Sequence, residues 1–204
     1  MIAAAATHTG SQWLWYLSRG SGLVLLVLFS LVFVLGVVTR GGSRRGRLPV
    51  AEMHRTLSLF AVALLVLHVV TAISDPYVSI GWLASVVPFV AHYEAVSLGL
   101  GTLAVDLAGA VVVTSVLRHR LGFRAWRAIH WLAYVAWPLA FAHSLRAGHD
   151  VGIGWVWLIE WGSATGVATA VLARLLGSFR TDRRHAADGT AISSRATEYA
   201  GDAR

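Results

Sequence analysis

Long apolar runs separated by short polar stretches divide this chain. From Gly22 to Val38 the run is interrupted only by Ser30, and the cluster Trp13, Trp15 and Tyr16 precedes it, so a first helix is expected over about 13–38. Aromatic clusters of this kind sit at the membrane–water interface. Pro49 stands just before the next run, where its missing N–H costs nothing, and a second helix is expected over about 51–73. Asp75-Pro76-Tyr77 ends it, and a longer connection with Trp82 and Pro88 follows, read as holding an interfacial segment. Further helices are expected over about 95–117, 125–145 and 153–176. About 20 apolar residues cross the hydrocarbon layer, and all five runs reach that length. The fold class is therefore all-α, a polytopic membrane bundle of about five transmembrane helices. Residues 1–12 read as an N-terminal tail, 13–176 as the membrane domain and 177–204, polar and charged, as a disordered cytoplasmic tail.

Composition supports this division. The chain is 56% hydrophobic and only 13% charged, with a mean hydropathy of +0.65, whereas soluble domains are about one quarter charged. The net charge of +7 is carried entirely by arginine. Arg40, Arg44, Arg45, Arg47 and Arg55 cluster around the first connection, Arg118, Arg120, Arg124 and Arg127 around the third, and Arg174, Arg180, Arg183 and Arg184 after the last helix. The opposite side has Arg19 and Arg146 with Asp75, Glu94 and Asp150. The positive-inside rule then puts the N-terminus outside and the C-terminus in the cytoplasm. Arginine placed this way orients helices, so no nucleic-acid partner is expected. No basic region precedes the first apolar run, so no cleaved signal peptide is expected. The absence of cysteine excludes disulfides, iron–sulfur clusters, cysteine-ligated haem and c-type attachment.

Chemistry concentrates in four histidines. His54 and His68 bracket the second apolar run, and His130 and His143 the fourth, with no charge between His68 and its partner beyond Arg55 and none between His130 and His143. Helices two and four run in the same direction, so depth pairs His54 with His130 and His68 with His143. Fourteen residues of helix rise about 21 Å and return nearly to the starting face. Thirteen residues do not, and Pro138 is the expected cause of a tightened or kinked turn that restores alignment. A lone membrane histidine commonly serves interhelical hydrogen bonding. Four at matched depths favour two stacked b-type haems, each with two axial imidazoles.

The spacings His-x13-His and His-x12-His resemble the ferric reductase-like transmembrane domain. Ser18-Arg-Gly-Ser-Gly22, Asp75-Pro-Tyr77 and Leu121-Gly-Phe-Arg-Ala-Trp-Arg-Ala-Ile-His130 are similar to its short bacterial members, over about residues 13–176. That family includes ferric reductases, NADPH oxidase membrane domains and the haem-binding subunit of the periplasmic methionine sulfoxide reductase system. The resemblance implies that His54, His68, His130 and His143 ligate two haem b groups that pass single electrons across a cell membrane, the inner membrane of a bacterium. Family members often have six helices with the ligands on the third and fifth, whereas here they fall on the second and fourth. The full-length reductases carry a flavin and nicotinamide domain after the bundle. Residues 177–204 have no strand pattern and no Gly-rich dinucleotide loop.

The expected role is thus the membrane haem subunit of a reductase system. Its donor would be a separate flavin reductase or a quinol, and its acceptor an extracytoplasmic redox partner. A stand-alone ferric-chelate reductase is the alternative, and a non-haem metal transporter a weaker one. Arg19, Arg55 and Arg127 are the candidate partners of haem propionates, with Arg124 and Arg146 at the same levels. Asp106, within an apolar helix, is a candidate hydrogen-bond acceptor from a ligand histidine. Glu160 is similarly placed in helix five, while His92 and His149 fall in outer connections. Trp82, Trp126, Trp155 and Trp157 read as interface anchors.

Overall fold

A computed structural model of the chain describes residues 2–38, 44–76, 80–147 and 154–176, with side chains from Trp13 and, in the second segment, from Leu48 onward. Six α-helices and one short 3-10 turn occupy them. These are α1 (Ile2–Val38), α2 (Arg44–Ile73), the 3-10 turn (Trp82–Ser85), α3 (Ala95–Val116), α4 (Arg118–His130), α5 (Ala133–Ala147) and α6 (Gly154–Leu176). Tyr77, His149, Asp150 and the tail at 177–204 lie outside the described residues, as do the side chains of Arg44, Arg45 and Arg47.

Among the described residues, four stretches are long and apolar enough to cross a membrane: Trp13–Val38, Leu48–Ile73, Ala95–Val116 and Gly154–Leu176. Their outward faces carry large exposed apolar side chains, among them Leu59, Phe60, Val66 and Leu172. Such a surface is stable against lipid rather than water. The protein is a multi-pass membrane protein built as a polytopic helix bundle.

Three boundaries differ from the sequence expectation. Helix α1 begins at Ile2, so backbone read as a tail continues the first helix. Helix α2 begins at Arg44, which puts Pro49 inside it. The fourth expected helix is two pieces, α4 with 13 residues and α5 with 15, separated at Trp131 and Leu132. Within α4, Gly122 has φ 74° and ψ 157°, a conformation that breaks the helix and suits glycine.

Helices α1 and α5 are antiparallel neighbours. Arg19 donates to the carbonyl of Ala147 at 3.0 Å, Trp137 donates to Ser30 Oγ at 3.0 Å, and Phe33 meets Tyr134 edge-on at 4.9 Å. Residue numbers rise along α1 as they fall along α5 through these three contacts. Helix α3 packs on α5, and its small residues Ser97, Gly99, Thr102 and Ala104 are buried. Small side chains let membrane helices approach closely. The ring of Phe89 lies directly on Gly99, leaving no room there for a Cβ. Helix α6 joins α5 through Ser144, which donates to Glu160 Oε1 at 2.9 Å, and through the Phe141–Trp161 ring contact at 6.0 Å.

The connection between α2 and α3 contains the 3-10 turn. It is tied to the bundle by Thr102, whose buried hydroxyl donates to the carbonyl of Ala84 at 2.7 Å. Thr102→Val keeps the shape and strips that buried carbonyl of its donor, a loss of about 1–3 kcal/mol. A lowered thermal unfolding temperature in detergent is expected for it. Ser85→Ala, whose hydroxyl bonds only within the exposed turn at Trp82, is expected to leave the temperature unchanged.

Candidate functional site

Two pairs of histidine rings lie inside the bundle, one near each end. His54 on α2 faces His130 at the end of α4, with ring centres 6.3 Å apart and planes at 64°. His68 on α2 faces His143 on α5 at 6.4 Å and 73°. A direct N–H···N hydrogen bond of about 3.0 Å between rings would bring their centres to about 5 Å. One metal ion bonded to both needs more space. Two bonds of about 2.0–2.1 Å, plus about 1.1 Å from each ring centre to its nitrogen, give about 6.3 Å. Both pairs stand at a separation that leaves room for one metal ion between the two rings.

Three of the four rings are oriented the same way. His54 Nδ1–H donates to the carbonyl of Val32 at 3.0 Å, His68 Nδ1–H to Ser18 at 2.9 Å, and His143 Nδ1–H to Ser97 at 2.8 Å. A carbonyl can only accept, so Nδ1 must carry the proton and Nε2 keeps its lone pair. That is the tautomer a metal-ligating histidine needs, fixed by a neighbour on its other nitrogen. His130 is supported differently, by its ring lying on Trp126 at 5.1 Å and 33°. Trp126 in turn donates to Ser115 Oγ at 3.2 Å. Trp126 thus packs directly against the inner histidine pair.

The register of His130 and His143 depends on the junction between α4 and α5. Thirteen ideal helical steps leave His143 about 140° short of the face of His130. Around the junction, Trp131, Leu132, Tyr134 and Val135 donate to the carbonyl three residues back instead of four. Each residue wound this way turns about 20° further than in an α-helix, so four recover about 80°, more than half of the shortfall. The tightening lies just before Pro138, which sits inside α5. Proline has no N–H for the Tyr134 carbonyl, and its ring crowds that carbonyl. The expected irregularity is present, one turn earlier than the proline itself.

A cavity of about 310 Å³ opens between His68 and His143. Its wall is mainly apolar, with Leu26, Phe29 and Leu98, and carries Arg19, Asp75 and Glu160. Glu160, only 2% exposed, is among the most buried side chains in the bundle. Arg19 also lies over the Trp15 ring at 4.6 Å. The structure does not gather every expected residue. Arg55, Arg124 and Arg127 are exposed near the inner pair, with Arg127 over the Phe123 ring at 5.4 Å. Arg146 and His92 are exposed as well. Asp106 lies on an exposed face of α3. The acceptor role expected of it is filled by the main-chain carbonyls of Val32, Ser18 and Ser97, which reading side chains could not reveal.

Fold and geometry define a class: a multi-pass helical membrane protein with two histidine pairs stacked along the bundle axis. The chain belongs to the ferric reductase-like transmembrane family, described as ferric reductase like transmembrane component, which matches residues 21–141, more than half its length. The match includes His54, His68 and His130 and stops two residues before His143. No curated protein and no solved structure matches the chain.

The pairing can be tested without any cofactor, because the chain has no cysteine of its own. His54→Cys with His130→Cys, and His68→Cys with His143→Cys, are expected to join through a short bifunctional thiol reagent. The crossed pairs, separated by about 21 Å of helix rise, are expected not to. Adding Pro138→Ala should reduce joining in at least one matched pair. Equal yields for matched and crossed pairs, read on a denaturing gel, would refute the depth assignment.

Proposed function

We propose that this protein carries single electrons across a cell membrane on two b-type haems, held by His54 with His130 and by His68 with His143. The observation that supports this most is the pair of ring separations, 6.3 and 6.4 Å, at two depths. When bound, each haem supplies an iron that gains and loses one electron. The paired histidines would hold it, and the carbonyls behind His54, His68 and His143 keep their Nε2 atoms bare for that role. The apolar walls exclude water from the outer pair, and Arg19 on the cavity rim is the candidate partner for a propionate there. Arg55 and Arg127 have the corresponding role at the inner pair.

Free-ion transport fits this arrangement less well. Among the described residues no group of three or more His, Cys, Asp or Glu side chains gathers around a point. Two imidazoles per site leave four positions of a six-coordinate ion to be filled, which a porphyrin does.

We take the N-terminus as outside and the arginine-rich side as cytoplasmic. Electrons then enter near His54 and His130 and leave near His68 and His143, toward an extracytoplasmic redox partner. The exposed arginines Arg55, Arg118, Arg120, Arg124 and Arg127 surround the entry end. They favour an acidic donor surface, and the encounter weakens as salt rises. The donor is a separate flavin reductase or a quinol. An acceptor partner distinguishes this role from a stand-alone ferric-chelate reductase, which would reduce chelated iron without one.

Purified protein is expected to hold two low-spin haems per chain, measured by reduced-minus-oxidised spectra with a haem count. His68→Ala and His143→Ala should each lose the same haem, and His54→Ala and His130→Ala the other. A count near zero would remove the proposal. Matching residual spectra for His54→Ala and His143→Ala would overturn the pairing.

The 204-residue chain alone is expected not to oxidise NADH or NADPH. A hydride delivers two electrons at once, and each haem iron accepts one, so a flavin or an equivalent must split them. Haem reduction should require an added flavin reductase, reduced flavin or quinol. Stoichiometric reduction by NADPH in a preparation free of flavin and other proteins would contradict this.

A further inference from the structure

Each of the three histidines that bonds a carbonyl does so at the same kind of place. His68 uses Ser18, His54 uses Val32 and His143 uses Ser97. Four residues after each of these carbonyls stands a glycine: Gly22, Gly36 and Gly101. A Cβ built on Gly22 would lie 3.0 Å from His68 Cε1, on Gly36 3.3 Å from His54 Cε1, and on Gly101 2.8 Å from His143 Nδ1.

The offset of four has a physical reason. In an α-helix the carbonyl of residue i already accepts from the N–H of residue i+4. The side chain of i+4 leans back toward the N-terminus and covers that turn. Removing it exposes the carbonyl's remaining lone pair to a group from the next helix. The spacing along α1 agrees. Gly22 and Gly36 are fourteen residues apart, as are His54 and His68, and on antiparallel helices Gly22 meets His68 while Gly36 meets His54. Gly109 and Gly166, also helical, have nothing within 4 Å of an added Cβ, and Gly99 meets Phe89 instead of a histidine. Closeness to a histidine ring is therefore not common to all glycines in the bundle.

We propose that Gly22, Gly36 and Gly101 are positioning residues for the axial histidines. Each bares a main-chain carbonyl that sets the ring's tautomer and its rotation about the ligand bond. The proposal rests on the haem reading above. It assigns Gly22 and Gly101, on different helices, to the outer haem and Gly36 to the inner one. His130 is not served this way, its ring being supported by Trp126.

The test is Gly→Ala at 22, 36 and 101 in the full chain, with Gly109→Ala and Gly166→Ala as controls. Three readouts apply: haem count, haem retention against a scavenging apoprotein, and the electron paramagnetic resonance of each ferric haem, which responds to axial ring orientation. Gly22→Ala and Gly101→Ala are expected to weaken retention of the same outer haem by roughly 10–100-fold, the usual cost of losing a ligand's supporting partner. Gly36→Ala, with the loosest of the three contacts, should act more mildly and on the inner haem alone. The controls should match the wild type. Wild-type retention and spectra in all three variants, beside a two-haem wild type, would overturn this proposal and leave the haem reading intact. Failure of all three to accumulate while the controls do would also overturn it, by making the glycines packing elements rather than site elements. A wild type without haem would overturn both.

Discussion

A histidine inside a membrane must dispose of two ring nitrogens where no water can help. Leaving either unsatisfied costs several kcal/mol in hydrocarbon. In this bundle the Nδ1 proton of His54, His68 and His143 goes to a main-chain carbonyl on the adjacent helix. That bond answers the burial problem and defines the chemistry together. It satisfies one nitrogen and, by fixing the tautomer, leaves the other with a lone pair directed elsewhere. A side-chain acceptor such as a carboxylate would do the same at the cost of a buried charge. The backbone supplies the acceptor without one.

The packing follows from that requirement. For a ring to reach a carbonyl already used within its own helix, the neighbouring helices must come close. Helix α1 presents Gly22 and Gly36 to α2, and α3 presents Gly101 and the carbonyl of Ser97 to His143 of α5. The α4–α5 junction answers a different demand. Its tightened turn brings His143 toward the face of His130, which regular winding over thirteen residues would not do. The hydrogen bond from Trp137 to Ser30 then ties this irregular segment to α1, midway between the two histidine levels.

Much of this was legible in the sequence, and the reasons differ by element. The apolar runs of α1, α2, α3 and α6 are long enough that hydropathy alone locates them. The pairing of histidines by depth follows from their spacing and the direction of the helices, and the rings do stand in those pairs. The break at Trp131 and Leu132 was only partly legible. Pro138 signals a disturbance, but the tightened residues precede it by a turn. Asp106 drew attention because a charge among apolar residues is costly, yet it lies on an exposed face. The carbonyls that orient the rings carry no sequence signal of their own. Their signal is indirect, in the match between the Gly22–Gly36 and His54–His68 intervals, which becomes informative only once α1 and α2 are known to be neighbours.

The two histidine pairs differ in surroundings. The inner pair has one ring held by a carbonyl and the other by Trp126, and exposed arginines surround it. The outer pair has both rings held by carbonyls and faces a cavity lined by Arg19 together with the buried acids Asp75 and Glu160. On the proposed function, cationic surroundings would favour the reduced state of an iron held by the inner pair. Arg19 and the two acids share the outer cavity, so the clearest electrostatic difference between the two sites is the arginine-rich surface at the inner end.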